Sequence, residues 1–420
     1  MEPMQVSGNV EPGFESIKTL FTRQMRQFAE DRAQLCVYHE DRKVVDLWCG
    51  PSGDPRYDGD TLTNIFSSGK SLESIAMAWL VSEGRLDFNA KVTEYWPEYG
   101  SHGKGDQTVA DVMRHEAGLP HLDQSIEPFD LHRESIKDNR MGALIAQQSP
   151  KYRSPDMDDR REYHPLTRGW IVNEIFRRVD AHERTLGEFY ADFIDPLLDT
   201  DIFIGVDDKD LGRIARLKLL PIIRHLRFSA WPLKASRQTH NHLFELLARI
   251  ITFAYRAWQT RGQKVPPPFK GMSTINSFND RNIIQGETAS ANAHASARGL
   301  AKLGAIIALG GSGFGHQLLT PEAWTALHDN PIDREMGVIT AFTEGGICKF
   351  KPLPPGANAT SRSLHHGRQG FFGWMGLGGS IFQWHPSKKL SFAFVPTSLH
   401  LLDVVNERGK TLQSALLDCL

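Results

Sequence analysis

Ser67 and Lys70 stand three residues apart in the stretch N-I-F-S-S-G-K-S-L-E-S-I-A-M-A-W-L-V, where an extended segment gives way to an apolar helix. Residues three apart share one face of a helix. The Lys70 amine can therefore sit beside the Ser67 hydroxyl. A serine hydroxyl is a poor nucleophile until a neighbour takes its proton or stabilises its alkoxide. A helix N-terminus adds free N–H groups and partial positive charge at the same place. The chemistry that this pattern allows is acyl transfer through a serine ester.

The pair alone is a weak signal, since about one chance match is expected in a chain of this length. A second match, Ser101-His-Gly-Lys104, lies in the Gly-rich loop Y-G-S-H-G-K-G-D and has no helix to hold its spacing. It reads as loop filler. Ser67 is followed by a helix expected from about Lys70 to Glu83, with Gly84 as its stop. On local sequence Ser67 reads equally as an ordinary N-cap serine.

The elements that must position this pair come from both ends of the chain. Phe14 to Glu30 reads as an amphipathic helix. A-Q-L-C-V-Y-H and K-V-V-D-L-W-C-G read as two strands joined by a polar turn. T-V-A-D-V-M-R-H-E-A-G-L-P reads as a short helix capped by Thr108 and stopped by Gly118, with His115 a structural histidine at its end. Residues 163–198 read as mostly helical. A further helix is expected from Ala289 to Gly310-Gly311. G-G-S-I-F-Q-W and K-L-S-F-A-F-V-P-T-S flank H-P-S-K as a hairpin, and a final helix is expected over about Leu401 to Leu417. The expected fold class is α+β, with one antiparallel sheet built from both chain ends, flanked by helices, and a large helical region inserted between. The sheet domain takes 1–66 and 300–420; the helical domain takes 67–299.

Composition narrows the function classes. The 420 residues carry 40% hydrophobic and 23% charged side chains, ordinary for a globular protein. A net charge of -2 gives no global field for nucleic acid. The N-terminus has neither a basic n-region nor an apolar h-region, and no run approaches the ~20 apolar residues of a membrane helix. A cytoplasmic location is expected. Cys36, Cys49, Cys348 and Cys419 match no metal or redox spacing and read as free thiols.

Residues 209–270 stand apart. Lys and Arg recur there between apolar runs, while Asp210 and Glu245 are its only acids. Such a basic amphipathic stretch can make peripheral contact with an anionic membrane. It can equally pack as helices over an active site, and this lid reading is preferred.

Several segments, in order, resemble the serine β-lactamase and penicillin-binding-protein superfamily, within it class C-like esterases, D-aminopeptidases and eukaryotic β-lactamase-domain proteins. They are V-V-D-L-W-C-G, F-S-S-G-K-S, A-W-L-V-S-E-G-R-L-D-F-N-A-K-V-T-E-Y-W-P-E-Y, T-V-A-D-V-M-R-H-E-A-G-L-P, E-Y-H-P-L-T-R-G-W, A-S-A-N-A-H-A-S-A-R-G-L-A-K-L and G-W-M-G-L-G-G-S. The resemblance spans about Gly13 to Ser398, apart from the basic insert. It implies a β-lactamase/transpeptidase-like fold and Ser67 as nucleophile with Lys70 beside it.

The family's second motif is Tyr, one residue, then Asn or Ser. Tyr152-Arg153-Ser154 fits it literally; Tyr163-His164-Pro165 fits the surrounding pattern Y-H-x-x-T-x-G-W and is preferred. The resemblance makes Tyr163 the general base and then the general acid. Pro165 replaces the expected polar residue and removes a substrate-side donor. The third motif falls on Trp374-Met375-Gly376, which the resemblance makes substrate-binding. Trp374 stands where the family places Lys or His and cannot serve as a cation. The implied oxyanion donors are the N–H groups of Ser67 and Leu377. The expected function is hydrolysis of a neutral small-molecule ester or amide through an acyl-enzyme, without metal, nucleotide cofactor or nucleic-acid partner. The alternatives are an inactive β-lactamase-fold scaffold and a lipid- or membrane-surface-binding protein.

Overall fold

The computed structural model describes residues 4–420 apart from 29, 53–55, 153–160, 222–264, 402 and 404. The chain opens with a strand, Met4–Val10 (β1), and a helix, Glu15–Gln27 (α1), that buries Ile17, Phe21 and Met25 at fourfold spacing. The expected strand pair follows as Ala33–His39 (β2) and Arg42–Pro51 (β3). The C-terminal part adds Ile332–Glu335 (β4), Ile339–Phe342 (β5), Cys348–Lys349 (β6), Phe372–Met375 (β7), Ile381–His385 (β8) and Leu390–Pro396 (β9). These nine strands form one sheet in the order β1-β3-β2-β9-β8-β7-β6-β5-β4. All neighbours are antiparallel, and β2 beside β9 joins the two chain ends.

Strand period sorts the core into two layers. Leu35, Val37, Phe392 and Phe394 face α1 and the C-terminal helix Glu407–Leu417, while Cys36, Tyr38, Ala393 and Val395 face the opposite layer. In chain order the other main helices are Lys70–Ser82 (α2), Thr167–Val179 (α3) and Ala297–Ala308 (α4), which makes the C-terminal helix α5. Every residue of α2 from Lys70 to Leu80 is buried. A helix buried on every side belongs in the centre of a fold, and α2 has that place. Truncating Leu72 or Ile75, both fully buried, would cost about 2–5 kcal/mol each. This packing makes α2 a rigid mount for the groups at its N-terminus.

Three sequence expectations need correction. The helix expected from Ala289 is interrupted: Ala293–Ala295 is a strand between Thr63–Asn64 and Ile202–Ile204, and α4 starts afresh with Ser296 capping Gly299. The final helix starts at Glu407 and not at Leu401, because the Asp403 carboxylate accepts from the Glu407 N–H at 2.9 and 3.0 Å. The helix capped by Thr108 ends at Met113, five residues before Gly118. The helices expected over the basic insert fall mostly on 222–264, outside the described residues. Its described ends are a single turn, Leu211–Arg213, a short strand, Lys218–Leu219, and irregular chain before Phe269.

Candidate active site

The site begins with a forced backbone turn. Asn64 Oδ1 accepts the Phe66 N–H at 2.7 Å, and Phe66 takes φ +45°. A bulky residue in the left-handed region is strained, and such strain clusters at functional sites. The turn Phe66–Gly69 is a 3₁₀ helix that runs directly into α2. Gly69 takes the N-cap position of α2, and Ser67 makes no capping bond.

Three acceptors surround the Lys70 amine: Pro165 O at 2.8 Å, Ser290 O at 3.1 Å and Ser67 Oγ at 3.3 Å. Burial drives its pKa down to about 7, against the pull of Glu73 and with a push from Arg168. Those two form a fully buried ion pair at 3.1 Å. Glu73 also accepts from Ser290 Oγ at 2.6 Å, and Arg168 donates to Ser74 Oγ at 2.8 Å and to Gly346 O at 3.0 Å. A buried pair satisfied in this way holds position because losing either charge strands the other.

Tyr163 reaches the same serine from the opposite side. Its hydroxyl accepts from Trp374 Nε1 at 3.0 Å and lies near enough to the Ser67 side chain for that group to lower its pKa. The Lys70 nitrogen lies 4.7 Å from the Tyr163 ring centre. Burial pushes the phenol up to about 12, while the Ser67 and Trp374 side chains pull it down. Tyr152 lies elsewhere: its hydroxyl donates to His115 O at 3.2 Å and accepts from the Glu162 N–H at 3.3 Å. His115 is buried with its ring 4.7 Å from that of Tyr163, and its Nδ1 accepts from the His164 N–H at 3.1 Å. Burial holds it neutral, well below its ordinary range. It supports the Tyr163 ring from beneath.

Strand β7 closes the third side. The Trp374 N–H donates to Ser71 Oγ of α2 at 3.0 Å. Alternation along the strand turns Met375 to the other face, where its sulfur accepts from Arg368 at 3.6 Å. The Met375 side chain is a core contact. At Gly376 a Cβ would stand 2.3 Å from Ile65 O and 2.1 Å from Ser380 Oγ, so only glycine lets β7 close on the serine turn. Ser380 Oγ donates to Ile65 O at 2.6 Å and bonds Ser68 Oγ at 3.0 Å, stapling the two turns together. Leu377 opens the turn Leu377–Gly379 and its side chain is 42% exposed. Ser67 and Leu377 stand at the start of their turns, where backbone N–H groups have no partner within the turn. Pro165 lacks a side-chain donor but contributes its carbonyl to Lys70.

The second serine–lysine pair does different work. Lys104 is fully buried and donates to Ser101 O at 2.8 Å, to Ala146 O at 2.9 Å and to Gln148 O. It is a structural pin, which loop composition did not indicate. Both ends of the basic insert border the site. Lys218–Leu219 pairs with Ser398–Leu399, and a Cβ on Gly378 would touch Leu399 at 2.5 Å. Phe269 meets Phe278 edge-to-face at 6.0 Å, and Phe278 meets Phe66 edge-to-face at 5.2 Å.

The family model for Beta-lactamase matches residues 17–416. This chain belongs to the beta-lactamase family. The family member resembles "Esterase/beta-lactamase LipL" of Mycobacterium tuberculosis, with 28% identity over 404 residues, 94% of this chain and 83% of that one. Among solved structures it resembles a penicillin-binding-protein homologue from Caulobacter crescentus, with a TM-score of 0.74, 25% identity and coverage of 99% and 100% of the two chains. A family VIII carboxylesterase has the same fold, with a TM-score of 0.76, 24% identity and the same coverage. The fold is β-lactamase/transpeptidase-like. Among the described residues no helix is long and apolar enough to cross a membrane, and no group of three or more His, Cys, Asp or Glu could hold a metal. The sequence did not single out Glu73, Arg168 or Ser380. Glu73 was within reach of the same argument that found Lys70, because it lies three residues further along one helix face.

Proposed function

We propose that this family member is a serine hydrolase that cleaves neutral esters through an acyl-enzyme on Ser67. The observation that carries this reading is the convergence of Lys70 Nζ and the Tyr163 hydroxyl on Ser67 Oγ. With the one proton shared by the pair held on Lys70, Tyr163 acts as the phenolate and takes the serine proton as Oγ bonds to the carbonyl carbon. The N–H groups of Ser67 and Leu377 hold the oxyanion, and each such donor is worth roughly 10²–10³ in rate. Tyr163 returns the proton to the leaving alkoxide and an alcohol departs. Water then gives its proton to Tyr163, adds to the acyl carbon and releases the acid, and Ser67 regains its proton. Lys70 favours an ionised oxygen at Ser67 or Tyr163 by its charge.

Ester is preferred to carboxylate-bearing β-lactam because Trp374 brings an indole to the position of the family's cation. Among the described residues Arg161 lies over the Phe342 ring, 5.3 Å from its centre, and its guanidinium is already paired with Glu116 at 3.5 Å. Fluorophosphonate labelling tests the reading. The protein is expected to label and the Ser67→Ala variant is not; equal labelling of both would remove Ser67 from the mechanism.

A further inference from the structure

The turn that carries Leu377 is held from below by residues at the start of α5, far from Ser67 in sequence. The Asn406 carboxamide donates to Gly376 O at 3.2 Å and to Ser380 O at 3.0 Å, the two ends of that turn. Arg408 donates to Gly378 O, in its middle, and to Ser398 O at 3.5 Å. The His400 N–H also reaches Gly378 O, at 3.3 Å. Arg408 is fully buried and ion-paired with the buried Glu30, whose carboxylate also meets His400 Nε2 at 3.3 Å. Asn406 is 2% exposed and sits at φ +51°, a conformation that asparagine tolerates better than most residues. Three carbonyls of one short turn thus point down into fixed donors. A peptide plane whose carbonyl points one way aims the next N–H the other way. With Gly376 O fixed on Asn406, the N–H of the following residue, Leu377, is aimed away from Asn406.

We infer that Asn406, backed by the Arg408–Glu30 pair, is the positioning residue for the second oxyanion donor. This rests on the hydrolase reading above, in which Leu377 N–H is that donor. Nothing in the chemistry of the reacting atoms touches Asn406. Its effect is on the direction of one N–H, and oxyanion stabilisation depends on donors pre-set at hydrogen-bond distance from the developing charge.

The test uses Asn406→Gly and Asn406→Asp. Glycine keeps the left-handed backbone without strain and removes the donor. Aspartate keeps the shape and turns an acceptor toward two carbonyls. Each variant and the unmodified protein are assayed on a phenyl ester and on the matching thionoester, whose sulfur is a weak acceptor of the oxyanion N–H bonds. The ratio of the two kcat/KM values is taken within one preparation, so a reduced folded fraction cancels. The ester-over-thionoester preference is expected to fall about tenfold in both variants. Hydrogen exchange of amides 376–380, followed without substrate, is expected to quicken about tenfold as well. An unchanged ratio with unchanged exchange overturns the inference, as does an equal loss on both substrates. Exchange separates the two ideas. If the unmodified protein cleaves neither substrate and does not label, the hydrolase reading fails. Quickened exchange in the variants then still shows the clamp, and unchanged exchange refutes it.

Discussion

Replacing Trp374 by phenylalanine keeps a ring in place and deletes one N–H. That N–H donates to the Tyr163 oxygen at 3.0 Å. A hydrogen bond to a charged group contributes about 1.5–3 kcal/mol and one to a neutral group about 0.5–1.5. The difference, about 1–1.5 kcal/mol, is what the indole adds to an ionised Tyr163 over a neutral one. Since about 1.4 kcal/mol is a factor of ten, Trp374→Phe should slow a neutral ester roughly tenfold. It should also raise the phenol further above its present value of about 12. Tyr163→Phe removes the proton carrier itself and should cost roughly 10²–10⁴. It also leaves the indole N–H buried without its partner, costing about 1–3 kcal/mol of stability. The cycle is completed by the double variant, assayed for kcat/KM on a short-chain ester and for stability by denaturant. If Trp374 acts through Tyr163, adding Trp374→Phe to Tyr163→Phe causes no further kinetic loss and recovers part of the lost stability. Strictly additive effects in both measurements would refute the coupling and make Trp374 a direct substrate contact only.

The remaining predictions probe the other sides of the site. Ser101→Ala should leave labelling and turnover intact, in contrast to Ser67→Ala, because the Lys104 amine contacts Ser101 only at its carbonyl. The pH dependence follows from the Lys70–Tyr163 pair: below about 7 both groups hold protons, so kcat/KM should rise through about pH 7 and then level. In Lys70→Met the plateau should vanish and kcat/KM should climb across pH 7–10, since only the phenol remains to accept a proton; a retained plateau would rule out Lys70 as the titrating group. Glu73→Gln strands a buried Arg168 and should cost about 3–5 kcal/mol by denaturant unfolding, whereas a loss under 1 kcal/mol would mean that water relieves the charge. The unmodified protein should cleave a neutral short-chain ester at least tenfold better than a cephalosporin, and equal rates would undo the specificity argument from Trp374.

What the sequence could reveal was local geometry. Ser67 and Lys70 were legible because helical spacing fixes their relation without knowledge of the rest of the fold. The strands β2, β3, β8 and β9 were legible because each alternates or runs apolar between clear turns. Tyr163 was chosen over Tyr152 by the pattern following it, and the reason it stands beside Ser67 is tertiary. Thr167 Oγ1 of α3 donates to Leu119 O at 2.5 Å, and the Leu119 N–H donates to His164 Nε2 at 2.9 Å. These bonds lock the segment before α3 against the loop after Met113. The Ala289 helix was read too long because propensity cannot see that Ala293–Ala295 completes a small sheet with two distant strands.

Illegible in the sequence were the groups that make the legible ones work. An amine as buried as Lys70 survives only because two carbonyls, from Pro165 and Ser290, receive it. Those carbonyls come from positions 95 and 220 residues away, and their residue types carry no signal, since any backbone has a C=O. The same holds for the carbonyls of Gly376, Gly378 and Ser380, which Asn406 and Arg408 hold. At Pro165 the absence of the family's Asn or Ser side chain first reads as damage to the site. The backbone shows otherwise: a carbonyl at that position still engages Lys70, and only the substrate-side donor is gone. The substitution is thus expected to change which substrates are held, leaving the nucleophile's surroundings intact.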